Sequence, residues 1–240
     1  MNIRHISIRF LAAVITVLLA SCIDSREEFW IEADGGGRAQ ITCTIPAAAA
    51  RIHGGDDGIR KLIADFLRAT PSIKRSSHEV TTANGRTTAV VEFAFDSALD
   101  LMETSTRESP AGLLPPAAKH FLGEMQAEWR GRSLEMTRRI SPGKSLPGAA
   151  FMPASTLEGR LVTIMHLPAP ASASNATRTE NSGRTLVWET PFAEAVKSPV
   201  TYHFIMDAPL PWKLIGGIVA PLALLGGVLW IRRIRVRTAA

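Results

Sequence analysis

The chain has 240 residues, 46% of them hydrophobic, enough for one domain with a sizeable core and further sequence at both ends. Its net charge of +5 belongs to those ends: residues 1–21 carry two Lys/Arg and no acid, 212–240 carry five and no acid, and 22–211 hold 20 basic against 22 acidic residues. A net of −2 in the middle excludes a basic nucleic-acid surface there, and two cysteines exclude a disulfide scaffold.

The N-terminus reads MNIRHISIRF, with Arg4 and Arg9, followed by the apolar run Leu11–Ala20. These are the n-region and h-region of a secretory signal, and the run is too short for a permanent span. It ends in Leu19-Ala20-Ser21-Cys22, which resembles the lipobox of bacterial lipoproteins. The resemblance implies that residues 1–21 are removed and that Cys22 becomes a lipidated first residue, its thiol carrying a diacylglyceryl group. The plainer reading is an ordinary signal peptide with an incidental cysteine. If Cys22 is acylated, Cys43 is the one thiol left; in Arg38–Pro46 it shares a face with Ala39, Ile41 and Ile45, which makes it a core residue on a strand.

Positions 22–211 read as one extracytoplasmic domain. Glu28–Asp34 alternates apolar and polar, and Gly35-Gly36-Gly37 turns it back into Arg38–Pro46. Ala47–Arg51 is open between a helical turn and a loop. Asp56–Ala69 places Ile59, Leu62, Ile63, Phe66 and Leu67 on one helical face, with Asp56 or Asp57 as N-cap. Asn84-Gly85 joins Ser77–Ala83 to Arg86–Asp96 in a second hairpin. Ser97–Ser105 reads as a short helix, Thr106–Pro116 as a proline-containing loop, and Ala117–Trp129 as a helix with Phe121, Leu122, Met125 and Trp129 on one face. Ser133–Ile140 is a strand, and Ser141–Ser155 is rich in Pro, Gly, Ala and Ser, as an ordered loop or a flexible excursion is. Gly159–Leu167, Arg184–Thr190 and Val200–Asp207 are strands, Asn181-Ser182-Gly183 is a turn, and Pro168–Ser174 has too little apolar surface to pack. Strand pairs, helices, then more strand pairs give an α+β fold: a mostly antiparallel sheet with helices on one face.

Pro209 and Pro211 make a short stiff neck. Trp212–Ile231 follows, twenty residues with one charge, Lys213. At ~1.5 Å per residue a helix of this length crosses the roughly 30 Å hydrocarbon core of a bilayer. Trp212 and Trp230 stand at interfacial depths, and the arginine-rich tail 232–240 belongs on the cytoplasmic side. The expected layout is signal peptide 1–21, exterior domain 22–211, transmembrane helix 212–231 and basic tail 232–240, with the domain held at the surface of one membrane by both ends.

In this layout the chain resembles the LppM-like bacterial lipoproteins. The local likeness is best over His166–Pro191: a strand ending in Leu167-Pro168, Asn175-Ala176-Thr177, a glycine turn, then Leu186-Val187-Trp188-Glu189. The resemblance implies a late hairpin formed by the Asn segment and the Trp strand, and a membrane-tethered domain that holds a lipid or other apolar ligand. The segment Thr106–Ser155 departs from that pattern, and no catalytic residues come with it.

No motif for chemistry is present. The histidines are scattered without an HExxH or a Cys/His pair, and there is no GxSxG, P-loop or GxGxxG between a strand and a helix. His166 and His203 read as exposed or hydrogen-bonded strand residues. Asn175-Ala176-Thr177 matches a glycosylation sequon in a context that does not use it. We therefore expect no catalytic residue, no metal and no cofactor. The leading expectation is a non-enzymatic envelope lipoprotein that binds a lipid or apolar ligand in a cleft between helices and sheet. The rival is an assembly subunit of a membrane protein complex, using the small residues Gly216, Ala220, Ala223 and Gly227 of the span together with the loop Ser141–Ser155.

Overall fold

Alternating β-branched and polar residues at both ends of the domain, with one amphipathic stretch between them, set the architecture. The computed structural model describes residues 23–101, 123–146 and 151–207. Strand β1 (Asp24–Ile31) pairs antiparallel with β2 (Gly37–Pro46), Phe29 opposite Ala39. The turn begins earlier than the glycines suggest. Glu32 and Gly36 close it through Glu32 N–H to the Gly36 carbonyl at 2.8 Å, with Gly35 at φ 89°.

Helix α1 (Ala47–Ile52) resolves the open stretch, and α2 (Gly55–Ala69) carries the expected apolar stripe. Its N-cap is Gly54 at φ 88°, not an aspartate, and no side chain caps it. Asp56 instead accepts a 2.5 Å bond from Thr82 in β3, and Asp57 pairs with Arg60 at 2.7 Å. Both still lie in the first turn, where negative charge favours the positive end of the helix.

Strands β3 (Ile73–Ala83) and β4 (Arg86–Phe95) form the Asn84-Gly85 hairpin, with φ of 51° and 73° at the two turn residues, as a type I′ turn requires. Ser97 opens a helical turn: its hydroxyl accepts from Asp100 N–H at 3.1 Å and its carbonyl from Leu101 N–H at 3.1 Å. The remainder of Ser97–Ser105 and the loop Thr106–Pro116 lie outside the described residues.

The expected helix Ala117–Trp129 is overturned where the structure describes it. Glu124–Arg130 is strand β5, paired antiparallel with β6 (Ser133–Ile140) across a turn at Gly131. Its residues have ordinary helix propensity, but cross-strand pairing with a committed neighbour overrides so weak a preference. In the Pro/Gly-rich stretch, 3₁₀ turns form at Pro142–Lys144 and Ala154–Thr156, with Pro142 and Met152 buried, so these parts are ordered loop.

Strand β7 (Arg160–His166) lies parallel to β1 and antiparallel to β10 (Thr185–Pro191). The supposedly unpackable stretch contains β8 (Ala171–Ser174), which pairs with β11 (Val200–Asp207). An edge strand needs backbone partners rather than buried side chains, and Ser172 adds a hydroxyl bond to the Ile205 carbonyl at 3.2 Å. Strand β9 (Arg178–Glu180) pairs with β10 in a late hairpin, while the Asn175 segment expected in it bonds to β11 instead. Helix α3 (Phe192–Lys197), with no clear sequence signal of its own, buries Phe192, Ala193, Ala195 and Val196. A Cβ at Gly143 would stand 1.9 Å from the Val196 carbonyl oxygen, so only glycine lets the 142–144 turn approach α3.

The fold is α+β, mostly strand, with two sheets where one was expected: a seven-stranded sheet ordered β3-β4-β2-β1-β7-β10-β9 and a four-stranded sheet ordered β5-β6-β11-β8. Among the described residues no helix is long and apolar enough to cross a membrane. The expected signal peptide 1–21, Cys22 and the span 212–231 lie outside the described residues.

Candidate functional site

Register decides which side chains share a face, because directly opposed residues point the same way. Phe29 and Glu27 of β1 share a face with Ala39 and Ile41 of β2, and these with Phe93 and Val91 of β4. The same row pattern continues through Cys43 with Ala89 and Ile45 with Thr87. Thr87 meets Thr82 at 2.6 Å, and Thr82 bonds Asp56 of α2. At the other end, Glu27 pairs with Arg138 of β6. The helices and the smaller sheet therefore cover one and the same face of the large sheet. This agrees with helices on one face and adds a second layer beside them.

The half under the smaller sheet is sealed. Leu186, Trp188, Tyr202, Phe204 and Met136 are all buried, and the Trp188 ring lies 5.5 Å from Tyr202 and 6.4 Å from Phe204. Asn175 locks this junction. Its Oδ1 accepts from Trp188 Nε1 and from His203 N–H, each at 2.8 Å, while its Nδ2 donates to the Thr201 carbonyl at 2.8 Å. Thr177 Oγ1 accepts Glu189 N–H at 3.0 Å. The Asn-Ala-Thr…Trp-Glu pattern of the sequence thus joins β10 to β11, and the Asn175 side chain is spent on that join.

Between the sealed half and the helix lies a polar post. Arg138 is 2% exposed and grips Glu27 through both of its terminal nitrogens, the Nη2 contact being 3.0 Å. Thr163 Oγ1 donates to Glu27 Oε2 at 3.4 Å, and the Tyr202 ring centroid is 5.8 Å from the guanidinium carbon. Burial works to lower the Arg138 pKa, but the Glu27 carboxylate outweighs it and the net shift is upward. Burial raises the Tyr202 phenol. An arginine this enclosed clamps the two sheets rather than meeting a ligand. A one-residue slip of β6 would turn it to the other face.

Beyond the post, the half under α2 is not sealed. No described side chain of α2 is fully buried, although Phe66 and Leu67 pack against the core. On the strands facing it, Ile41, Cys43, Ile45, Ala89 and Val91 are likewise only half-buried. On the same face Ala39, Val80, Thr87 and Phe93 are buried, so the half-buried residues lie among closed ones. The apolar residues left half-buried here are Ile59, Leu62 and Ile63 of α2 and Ile41, Ile45 and Val91 of the strands, the last three packing against the core.

Cys43 lies on the same face as Ile41 and Ile45, opposite Ala89. Burial pushes its thiol up to about 11, with the Glu27 and Asp24 carboxylates adding to the shift. At neutral pH only roughly one molecule in ten thousand is thiolate, so the residue behaves as a small apolar side chain. His166 bonds Glu28 at 2.8 Å and Thr185 at 3.2 Å, and His203 bonds Glu135 at 2.9 Å; both are hydrogen-bonded strand residues. Among the described residues no group of three or more His, Cys, Asp or Glu is placed to hold a metal ion.

The chain matches no family model, and no curated protein matches it. Among solved structures it is similar to the folded domain of Mycobacterium tuberculosis LppM, determined by NMR, with a TM-score of 0.51 over 80% of this chain and 94% of that one. The described domain has an LppM-like fold. At 11% sequence identity the likeness is one of fold. It supports the resemblance to LppM-like proteins at the level of the fold. The LppM-like arrangement holds although Glu124–Arg130 and Ala171–Ser174 were not legible as strands.

Proposed function

We propose that this chain is a membrane-anchored lipoprotein of the bacterial cell envelope, whose LppM-like domain binds a lipid or another apolar ligand in the cleft under α2. The observation that supports the reading is that Ile59, Leu62 and Ile63 of α2 and Ile41, Ile45 and Val91 of the strands are each only half-buried. Leaving apolar surface in water forgoes ~25 cal/mol per Å², a gain that a bound acyl chain recovers. Each methylene transferred contributes about 0.8 kcal/mol, so ten would supply roughly 8 kcal/mol, the scale of a micromolar complex before ordering costs. Lipidation at Cys22 and the span at 212–231 complete the proposal: they would tether the domain to the bilayer from which such a ligand would come. The reading assigns no chemistry to the domain, in keeping with a carrier or sensor rather than an enzyme.

Native mass spectrometry of the full-length protein, released from a neutral detergent, tests this. A stoichiometric, non-covalent lipid-sized adduct is the expected result. A clean unliganded mass, with a protein partner recovered instead, would shift the function to assembly of a membrane complex. Separately, Cys22→Ser is expected to block lipid labelling and leave the uncleaved precursor; normal processing of that variant would remove the lipid anchor from the proposal.

A further inference from the structure

The opposite face of the large sheet carries a second, polar site. On this face the register aligns Ala94, Arg38, Trp30 and His166 across four strands, and Arg75 of β3 lines the surface beside Ala94. The row is locked at one end. His166 stacks on Trp30 with ring centroids 5.2 Å apart and planes 10° from parallel, and Glu28 and Thr185 fix the imidazole. On the other flank the Arg38 guanidinium carbon lies 4.0 Å from the indole centroid.

At the other end the row is interrupted. A bulge in β3 between Ile73 and Ser76 sets Lys74 and Arg75 against the single residue Ala94. Lys74 turns to Asp96 at 3.6 Å, whereas Arg75 is aimed over the sheet. Bulges often re-aim a side chain in this manner at functional sites. Because Ala94 is small, a depression of about 340 Å³ opens between the two arginines, with Trp30, Gln40, Ser77 and Glu92 around it. Two strand spacings, roughly 10 Å, separate the backbones that carry Arg38 and Arg75.

Neither arginine is paired with a carboxylate of the described chain; the site's one acid, Glu92, already accepts from Gln40 Nε2 at 3.2 Å and Ser77 Oγ at 3.5 Å. The walls therefore hold two guanidinium forks against one engaged carboxylate, a local surplus of one positive charge. A planar carboxylate fills one fork. A tetrahedral oxyanion has enough oxygens to accept from both forks at once. Glu92, with acceptor capacity left over, faces whatever sits beside that anion and favours a hydroxyl donor there.

We propose that this depression binds a phosphate ester bearing a neighbouring hydroxyl, its phosphate bridged between Arg38 and Arg75 and its hydroxyl on Glu92. The chemistry is shared by a free polyol phosphate and by the headgroup of an anionic phospholipid. The site is on the face of the sheet away from the apolar cleft and does not rest on that cleft being occupied.

The test follows the tryptophan indole resonances of the full-length protein in a neutral maltoside detergent. Trp30 is assigned with Trp30→Phe, and glycerol phosphate or short-chain phosphatidylglycerol is added to about 50 mM, well above the roughly 1 mM Kd of a weak site. A saturable shift confined to Trp30 is expected, with Kd raised at least tenfold in Arg75→Gln, which disturbs no packed group, and in Arg38→Gln. Arg178→Gln, on the same face but paired with Glu180 and Glu189, serves as the control and should leave Kd unchanged. Saturation by both probes identifies a phosphate site open to soluble esters; saturation by the phospholipid alone identifies a headgroup site. No saturable Trp30 shift with either probe, or equal loss in the Arg178→Gln control, would overturn the proposal.

Discussion

One face of the seven-stranded sheet is covered in two ways, and the two halves behave differently. Under the smaller sheet, Leu186, Phe204 and Met136 are fully buried, whereas under α2 neither the helix stripe nor Ile41, Ile45 and Val91 is. The difference is one of breadth. Paired sheets interdigitate over their whole width at about 10 Å separation. A lone helix is ~10–12 Å across with its side chains, while β2, β4 and β3 together span roughly 14 Å. Even with the short helix α1 beside it, which buries Ala47 and Ala50, α2 leaves Ile41, Ile45 and Val91 half-buried. Glu27 and Arg138 stand at the boundary between the two halves.

Substitutions in each half sharpen that contrast. The largest effect is expected at Trp188→Ala, which empties the sealed core and strips Asn175 of its indole donor. Large aromatic truncations of this kind cost ~3–5 kcal/mol, read as a lower urea midpoint for the exterior domain. Arg138→Met comes next, destabilising by about 3 kcal/mol because it leaves Glu27 enclosed without its partner. Adding Glu27→Leu to that variant should restore most of the loss. If the double variant is no more stable than the single one, the pair is not a self-contained clamp.

The smallest effect is a pH dependence on the far face. Burial raises the Glu28 pKa, but bonds from His166 and then Arg26 outweigh it, so the carboxyl sits below its ordinary 4.5. A depressed folded-state pKa contributes stability above the unfolded value, and that contribution is lost as pH falls through the folded one. The wild type should therefore lose more stability between neutral pH and pH below 4.5 than Glu28→Gln does, in thermal melts compared across that range. Equal losses would show that the His166–Glu28–Arg26 group does not couple to folding.

Much of this was legible from residue patterns. Asn84-Gly85 announced its hairpin because both turn positions need positive φ, and the spacing of Ile59, Leu62, Ile63, Phe66 and Leu67 announced α2. The Asn175 and Trp188 pattern pointed at the late hairpin, although its hydrogen bonds to β11 needed the structure. What sequence reading missed has common causes. Glu124–Arg130 has helix-compatible residues whose strand state is imposed by β6, and Ala171–Ser174 holds its place by backbone bonds that leave no apolar signature. Arg138, beside Arg139 in Ser133–Ile140, was given no role by the sequence reading. Strict alternation with Leu134, Met136 and Ile140 was the signal that it points inward. The Arg38–Trp30–His166 row was beyond reach, since its members lie on three strands whose order only the topology supplies.

The central claim is that a lipid is held against the half-buried apolar residues under α2. The most direct measurement is the lipid content of full-length wild type against Val91→Trp, by native mass spectrometry, with thermal stability recorded alongside. Val91→Trp fills the cleft from the sheet side. The account predicts a lipid adduct on the wild type that is lost in the variant, with the folded state retained. A wild type without lipid, or a folded variant that keeps its lipid, would contradict it.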